Sequence, residues 1–125
     1  MRKGPADVGF VPDLLSYACT HAPNHPAVVA GERRFTFAEL DDRARRLARL
    51  FRDWSLEAGD IVALLAKNEP EYFEIHIAAI RAGLVLLPLN CRLAPPELQY
   101  IVNDSRPRLL ICGEEFSTIS ETLQV

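Results

Sequence analysis

Few side chains in this 125-residue sequence stand at spacings that chemistry would need. His21 and His25 form an HxxxH pair, which one face of a helix could aim at a zinc ion. Pro23 lies between them and interrupts such a face, so the pair reads as part of a surface turn. His76 stands at helical spacing beside an apolar stripe; with no matched nucleophile in view it reads as a core or border histidine rather than a general base. Glu69, Glu71 and Glu74 cluster around one helix start, where capping and the helix dipole account for the first two without catalysis. Cys19, Cys91 and Cys112 are odd in number and form no CxxC, which points to reduced thiols rather than a disulfide framework or a metal knot. Arg92 invites a sharper reading. It follows an apolar strand, in the kind of loop where ligands reach a parallel sheet, and a guanidinium there could grip a phosphate or a carboxylate. The plainer alternative is a salt bridge that fixes the loop. No catalytic and no metal-ligating residue is expected.

Phosphate chemistry is bounded by the glycines. There are six, at positions 4, 9, 31, 59, 83 and 113, and neither GxGxxG nor GxxxxGK can be drawn from them. Backbone approach to a phosphate needs such glycines, so an ordinary Rossmann or P-loop nucleotide site is not expected.

The elements that would position these groups alternate regularly. Val11, Leu14, Leu15 and Ala18 mark one face of a short helix over 11–19 that Pro23 and Pro26 end. Residues 27–30 and 33–35, joined by Gly31-Glu32, form a hairpin. Thr36-Phe37-Ala38-Glu39 is a capping box, with Phe35 and Leu40 at hydrophobic-staple spacing. The helix it starts runs to about Trp54 with Leu40, Ala44, Leu47, Ala48 and Phe51 inward. Its five arginines read as a solvated face, with Glu39–Arg43, Asp41–Arg45 and Asp42–Arg46 as ion pairs. The unbroken apolar strand 61–65 comes next. Asn68 then caps a helix whose inner face is Phe73, Ile77 and Ile80, with Gly83 past its end. A second apolar strand (84–89), a helix from about 96 to 103, a third strand (109–112) and a weak closing helix complete the pattern. The fold class is therefore α/β, with a mostly parallel, incomplete sheet flanked by helices and an N-terminal β-hairpin. Residues 1–10 are expected to be extended or disordered, and 11–125 to be one unit.

A net charge of −3 gives no basic field for nucleic acid, and 49% hydrophobic with 25% charged residues is an ordinary globular composition. The uncharged run between Arg81 and Arg92 is too short to span a bilayer. The start MRKGPADVGF lacks the apolar stretch of a secretory signal. These features lead to the expectation of a cytoplasmic chain.

Several runs, taken in order, resemble one family. Phe35-Thr36-Phe37-Ala38-Glu39-Leu40, then Ala44 and Arg46-Leu47-Ala48, is similar to the T-Y-x-E-L…A-x-x-L-A opening of the adenylate-forming enzymes, the AMP-dependent acyl-CoA synthetases and their relatives. Gly59-Asp60-Ile61-Val62-Ala63 resembles their G-D-x-V-A turn and strand. Asn68, Pro70-Glu71 and Phe73 resemble N-x-P-E-F with Tyr72 inserted, and Arg81-Ala82-Gly83 with Pro88-Leu89-Asn90 resembles A-G-A…P-L-N. Arg92-Leu93, Glu97-Leu98 and Asp104-Ser105 continue the pattern, and Pro88-Leu89-Asn90 with Arg92-Leu93 resembles the acyl-CoA ligases within the family. Cys91 departs from the common proline.

The resemblance implies activation of a carboxylic acid by Mg-ATP to an acyl-adenylate, followed by transfer to the thiol of CoA. It also implies a role for Arg92 near the nucleotide part of CoA. The phosphate loop ending in lysine, the aromatic-Gly-x-Thr-Glu stretch, the ribose aspartate and the lid lysine of that family all lie downstream of the matched region, and none occurs here. Asp60 sits in the early turn and does not take the ribose role. The expectation is thus an N-terminal portion of an acyl-CoA synthetase, without ATP, Mg or CoA bound by this chain alone. Its expected partner is the remainder of the ligase or a complementary fragment, and the apolar edge and faces left exposed could also support self-association. A non-catalytic interaction or regulatory module, one half of a split ligase, and a stand-alone flavodoxin-like domain are the alternatives.

Overall fold

The computed structural model describes residues 11–125, with side chains from Leu14 onward. The expectations placed on residues 1–10 and on the Val11 side chain lie outside the described residues. The chain order is α1 (Val11–His21), β1 (Pro26–Ala30), β2 (Arg33–Thr36), α2 (Phe37–Asp53), β3 (Ile61–Leu65), α3 (Pro70–Arg81), β4 (Val85–Pro88), α4 (Pro95–Ser105), β5 (Leu109–Cys112), a 3-10 turn (Glu114–Phe116) and α5 (Ser117–Thr122). β1 and β2 form an antiparallel hairpin, and β4-β3-β5 form a parallel sheet in that order.

β3 is the middle strand, and its alternation divides the core in two. Val62 points to a layer made by Ala48 and Phe51 of α2 with Ala78 and Ala79 of α3. Ala63 and Leu65 point the other way, onto Leu98 and Val102 of α4, Phe116 and Leu123. Burial on both faces explains why the strand is apolar throughout. Gly83, at φ +73°, follows the Ala82 C-cap of α3; a Cβ there would stand 3.2 Å from that of Ala58. The position favours glycine on both counts.

The start of α2 is built as its sequence indicates. Glu39 N donates to Thr36 Oγ1 at 3.2 Å, and Thr36 N donates to Glu39 Oε2 at 2.8 Å. Phe35 packs on Leu40 in a small core shared with Leu15 and Val28. Thr36→Ala is expected to lower stability by about 1 kcal/mol in denaturant unfolding, with an unchanged m-value.

Five expectations are corrected. Asn68 does not cap α3: the N-cap position falls on Glu69, one residue later, and no side chain bonds the first turn, where Pro70 carries no amide to satisfy. The inner face of α3 is Ile75, Ala78 and Ala79, while Phe73 is 56% exposed. The run IHIAAI is apolar almost all round, so periodicity could not choose its face, and the two alanines win by letting the helix pack closely. His76 is exposed rather than a core or border residue. Leu14, expected inward on α1, is 54% exposed, with Leu15 buried instead. Arg43 pairs with Glu74 of α3 rather than with Glu39, whose carboxylate is committed to the cap.

The Arg43–Glu74 contact is one of three ion pairs that tie α3 to its neighbours. Arg33 of β2 binds Glu71, Arg43 binds Glu74, and Arg81 donates to Asp41 Oδ1 at 2.5 Å. Asp41 also keeps its expected pair with Arg45, as Asp42 does with Arg46. The guanidinium carbons of Arg33 and Arg43 lie 5.4 and 5.0 Å from the Phe35 ring centre. The hydrogen bond from Arg33 holds the Glu71 carboxyl below the usual glutamate range, against an opposing push from partial burial. A depressed folded value means this contribution is present above the unfolded value of about 4.3 and is lost as pH falls through the folded one. Glu71→Gln is therefore expected to lower the denaturant midpoint slightly at pH 7 and to flatten the fall between pH 5 and pH 3. A parallel pH profile for variant and parent would contradict this.

Candidate functional site

The carboxyl ends of the parallel strands carry two features, on opposite faces of the sheet. The first is the turn after β4. Leu89 is 5% exposed and its amide donates to Leu64 O at 2.8 Å, which fixes the turn to the central strand. Asn90 then organises the loop into α4. Its Oδ1 accepts from Arg92 N at 3.0 Å and its carbonyl accepts from Leu93 N at 3.1 Å. Cys91 and Leu93 pack onto the α4-side core, and Glu97 Oε2 accepts from Ala94 N at 2.8 Å to start α4. Arg92 is exposed, and its guanidinium engages no ion pair or hydrogen bond among the described residues. The salt bridge that would have made it a loop fastener is not formed. Asn90 was legible only as half of a turn signal: an asparagine side chain that accepts from the amide two residues on is an Asx turn.

The second feature is a cleft of about 360 Å³ at the ends of β3 and β5, beneath α2 and the start of α3. Its floor and walls are apolar, with Phe51, Trp54, Leu64, Ile75 and Ile111 among them, and Lys67 and Glu115 stand at its rim 3.9 Å apart. Arg92 does not line it. Sequence reasoning passed over Lys67, although it follows β3 much as Arg92 follows β4.

Neither feature carries a glycine-rich loop. Gly113 is the glycine at the end of β5, and a Cβ there would lie 2.7 Å from Glu115 Oε2, so a carboxylate already covers that backbone. No cluster of three possible metal-ligating side chains exists among the described residues. His21 ends α1 and His25 lies beyond it, so the HxxxH does not share a helix face. The cysteines are free thiols, and burial, helped by the Asp41 charge, pushes the Cys19 thiol up, away from reactivity. Asp60 is at the amino end of β3, opposite both features, where it accepts from Glu57 N at 2.8 Å.

The sequence matches the AMP-binding enzyme family over residues 15–125. The chain belongs to the AMP-binding enzyme family. A fatty acid–[acyl-carrier-protein] ligase, ScoC, from Streptomyces coeruleorubidus is 36% identical over 108 residues, 86% of this chain and 21% of its own length. The peroxisomal acetate/butyrate–CoA ligase AAE7 of Arabidopsis thaliana is 33% identical over 123 residues, 97% of this chain and 22% of its own. The fold is similar to that of a fatty acyl CoA synthetase from Mycobacterium tuberculosis, with a TM-score of 0.83 at 30% identity over 89% of this chain and 22% of that one. The chain thus spans about one fifth of the length of the curated relatives it matches. The parallel sheet with its flanking helices is a fold shared with the Mycobacterium tuberculosis synthetase. No helix among the described residues is long and apolar enough to cross a membrane.

Proposed function

We propose that this chain supplies the first α/β layer of an AMP-forming acid–thiol ligase and is not catalytic alone. In the reaction of such a ligase a carboxylate attacks the α-phosphorus of ATP, pyrophosphate leaves, and the acyl-adenylate then passes its acyl group to a thiol as AMP departs. The observation that carries the reading is the family match across nearly the whole described chain, over which no glycine-rich phosphate loop occurs. The chain's own contribution is structural: β3 anchors Leu89, Asn90 sets the turn, and the free guanidinium of Arg92 faces solvent where a phosphate of CoA could be met. CoA-linked relatives such as AAE7 favour a small or fatty acid and CoA as substrates.

A domain graft tests this. The 123 matched residues of AAE7 are replaced by this chain, and butyryl-CoA formation is followed. Retained turnover is expected, and a folded but inactive graft would contradict the scaffold role. Within the active graft, Arg92→Ala is expected to raise KM for CoA roughly tenfold with KM for ATP unchanged, as loss of one charge-assisted contact would. An unchanged KM for CoA would remove Arg92 from the site.

A further inference from the structure

The turn between β4 and α4 is held at both ends. Leu89 is buried with its amide on Leu64 O, and Leu93 packs onto the α4-side core. Between them the bond from Leu93 N to Asn90 O, at 3.1 Å, closes a four-residue turn with Cys91 and Arg92 as its central pair. Arg92 is not among the described residues with positive φ, so the turn is type I rather than type II. Asparagine suits the first position of such a turn, because its side chain can accept from the amide two residues on. Cys91 leaves its own φ free where a proline would fix it, so the Asn90 side chain carries more of the ordering.

Every amide from 92 to 96 is committed or missing. Arg92 N donates to Asn90 Oδ1 at 3.0 Å, Leu93 N to Asn90 O, and Ala94 N to Glu97 Oε2 at 2.8 Å, while Pro95 and Pro96 carry none. The backbone of this segment therefore has no donor for an anion. The Arg92 guanidinium, exposed and without an ion pair or hydrogen bond among the described residues, is the donor that remains. A long side chain held only at its backbone recognises well when that backbone is fixed in advance. We infer that Asn90 is a positioning residue for Arg92: its carboxamide oxygen holds the Arg92 backbone so that the guanidinium is presented to a phosphate of the thiol substrate. The inference rests on Arg92 meeting a phosphate of CoA, as proposed above. Losing the Asn90 side chain leaves the bond from Leu93 N to Asn90 O in place, so its effect falls on Arg92 and not on the fold.

The test is a double-mutant cycle in the active AAE7 graft, read as KM for CoA. Asn90→Ala is expected to raise it about threefold, as the loss of one ordering hydrogen bond would, with kcat, KM for ATP and the denaturant midpoint unchanged. Asn90→Ser, whose hydroxyl accepts more weakly, is expected to fall between parent and alanine. In the Arg92→Ala background Asn90→Ala is expected to add nothing, since the group it positions is gone. An equal effect in both backgrounds, or a matching rise in KM for ATP, would show a general effect on the fold and overturn the inference. If Arg92→Ala raises KM for CoA and Asn90→Ala does not, Asn90 has no positioning role and the reading of Arg92 stands. If Arg92→Ala itself leaves KM for CoA unchanged, that reading fails and this inference falls with it. Amide exchange in the 125-residue chain checks the turn without the graft. Asn90→Ala is expected to speed exchange at the Arg92 amide while those of α2 keep their protection, and an unchanged Arg92 amide would contradict the turn's dependence on Asn90.

Discussion

Replacing Phe51 by alanine is expected to destabilise the chain by about 3–5 kcal/mol, a large part of the stability of a domain this size. Phe51 is fully buried between α2, β3 and α3, in the layer that contains Val62, Ala78 and Ala79. The neighbours that would have to collapse into the space include Ala48, Ala78 and Ala79, which have little side chain to move. The cavity term should therefore add to the lost transfer energy rather than relax away. The ring also forms part of the wall of the cleft, so its loss should widen that space and let water reach Leu64. Urea unfolding of variant and parent gives the number. A cost below about 1 kcal/mol would mean that the α2–sheet layer is not the packed core described.

Much of this architecture was legible, for identifiable reasons. The capping box at Thr36 is a local signal whose two hydrogen bonds need nothing beyond four residues, and it formed as read. β3 was apolar at every position because both its faces are covered, and that made it legible as a strand of a parallel sheet; β4 and β5 read the same way, so its central place was not legible. Side-chain choice between helix faces was harder. On α3, where apolar residues nearly encircle the helix, the buried face is the one whose Ala78 and Ala79 meet Ala48 and Phe51 of α2, a property of two helices that one helix's periodicity does not contain. The ion pairs obeyed the same rule: Arg43 had Glu39 in sequence reach, but the cap held Glu39 and the tertiary fold offered Glu74.

The candidate site was less legible than the scaffold. Arg92 was found because a strand, a proline and a cation in succession mark the carboxyl end of a sheet. The Asn90 contact that sets its backbone depends on a turn conformation that the residues allow but do not compel. The cleft was not visible at all, because Trp54, Lys67 and Ile111 are brought together by strand order, β5 lying beside β3 rather than beside β4.

The central claim is that these elements are the scaffold of an acid-activating ligase whose reactive groups lie outside them. Acid-dependent exchange of labelled pyrophosphate into ATP reads the first half-reaction alone and needs no thiol. The 125-residue chain, assayed with acetate, butyrate, benzoate or a long-chain acid, has no glycine-rich phosphate loop, and the strand-end glycine near the cleft, Gly113, is crowded by Glu115. Preorganised donors of that kind supply several kcal/mol of transition-state stabilisation, about 10²–10³ in rate for each one removed. Without any of them, exchange is expected at the rate of the enzyme-free control with every acid. Exchange well above that control, proportional to protein and dependent on one acid, would contradict the account.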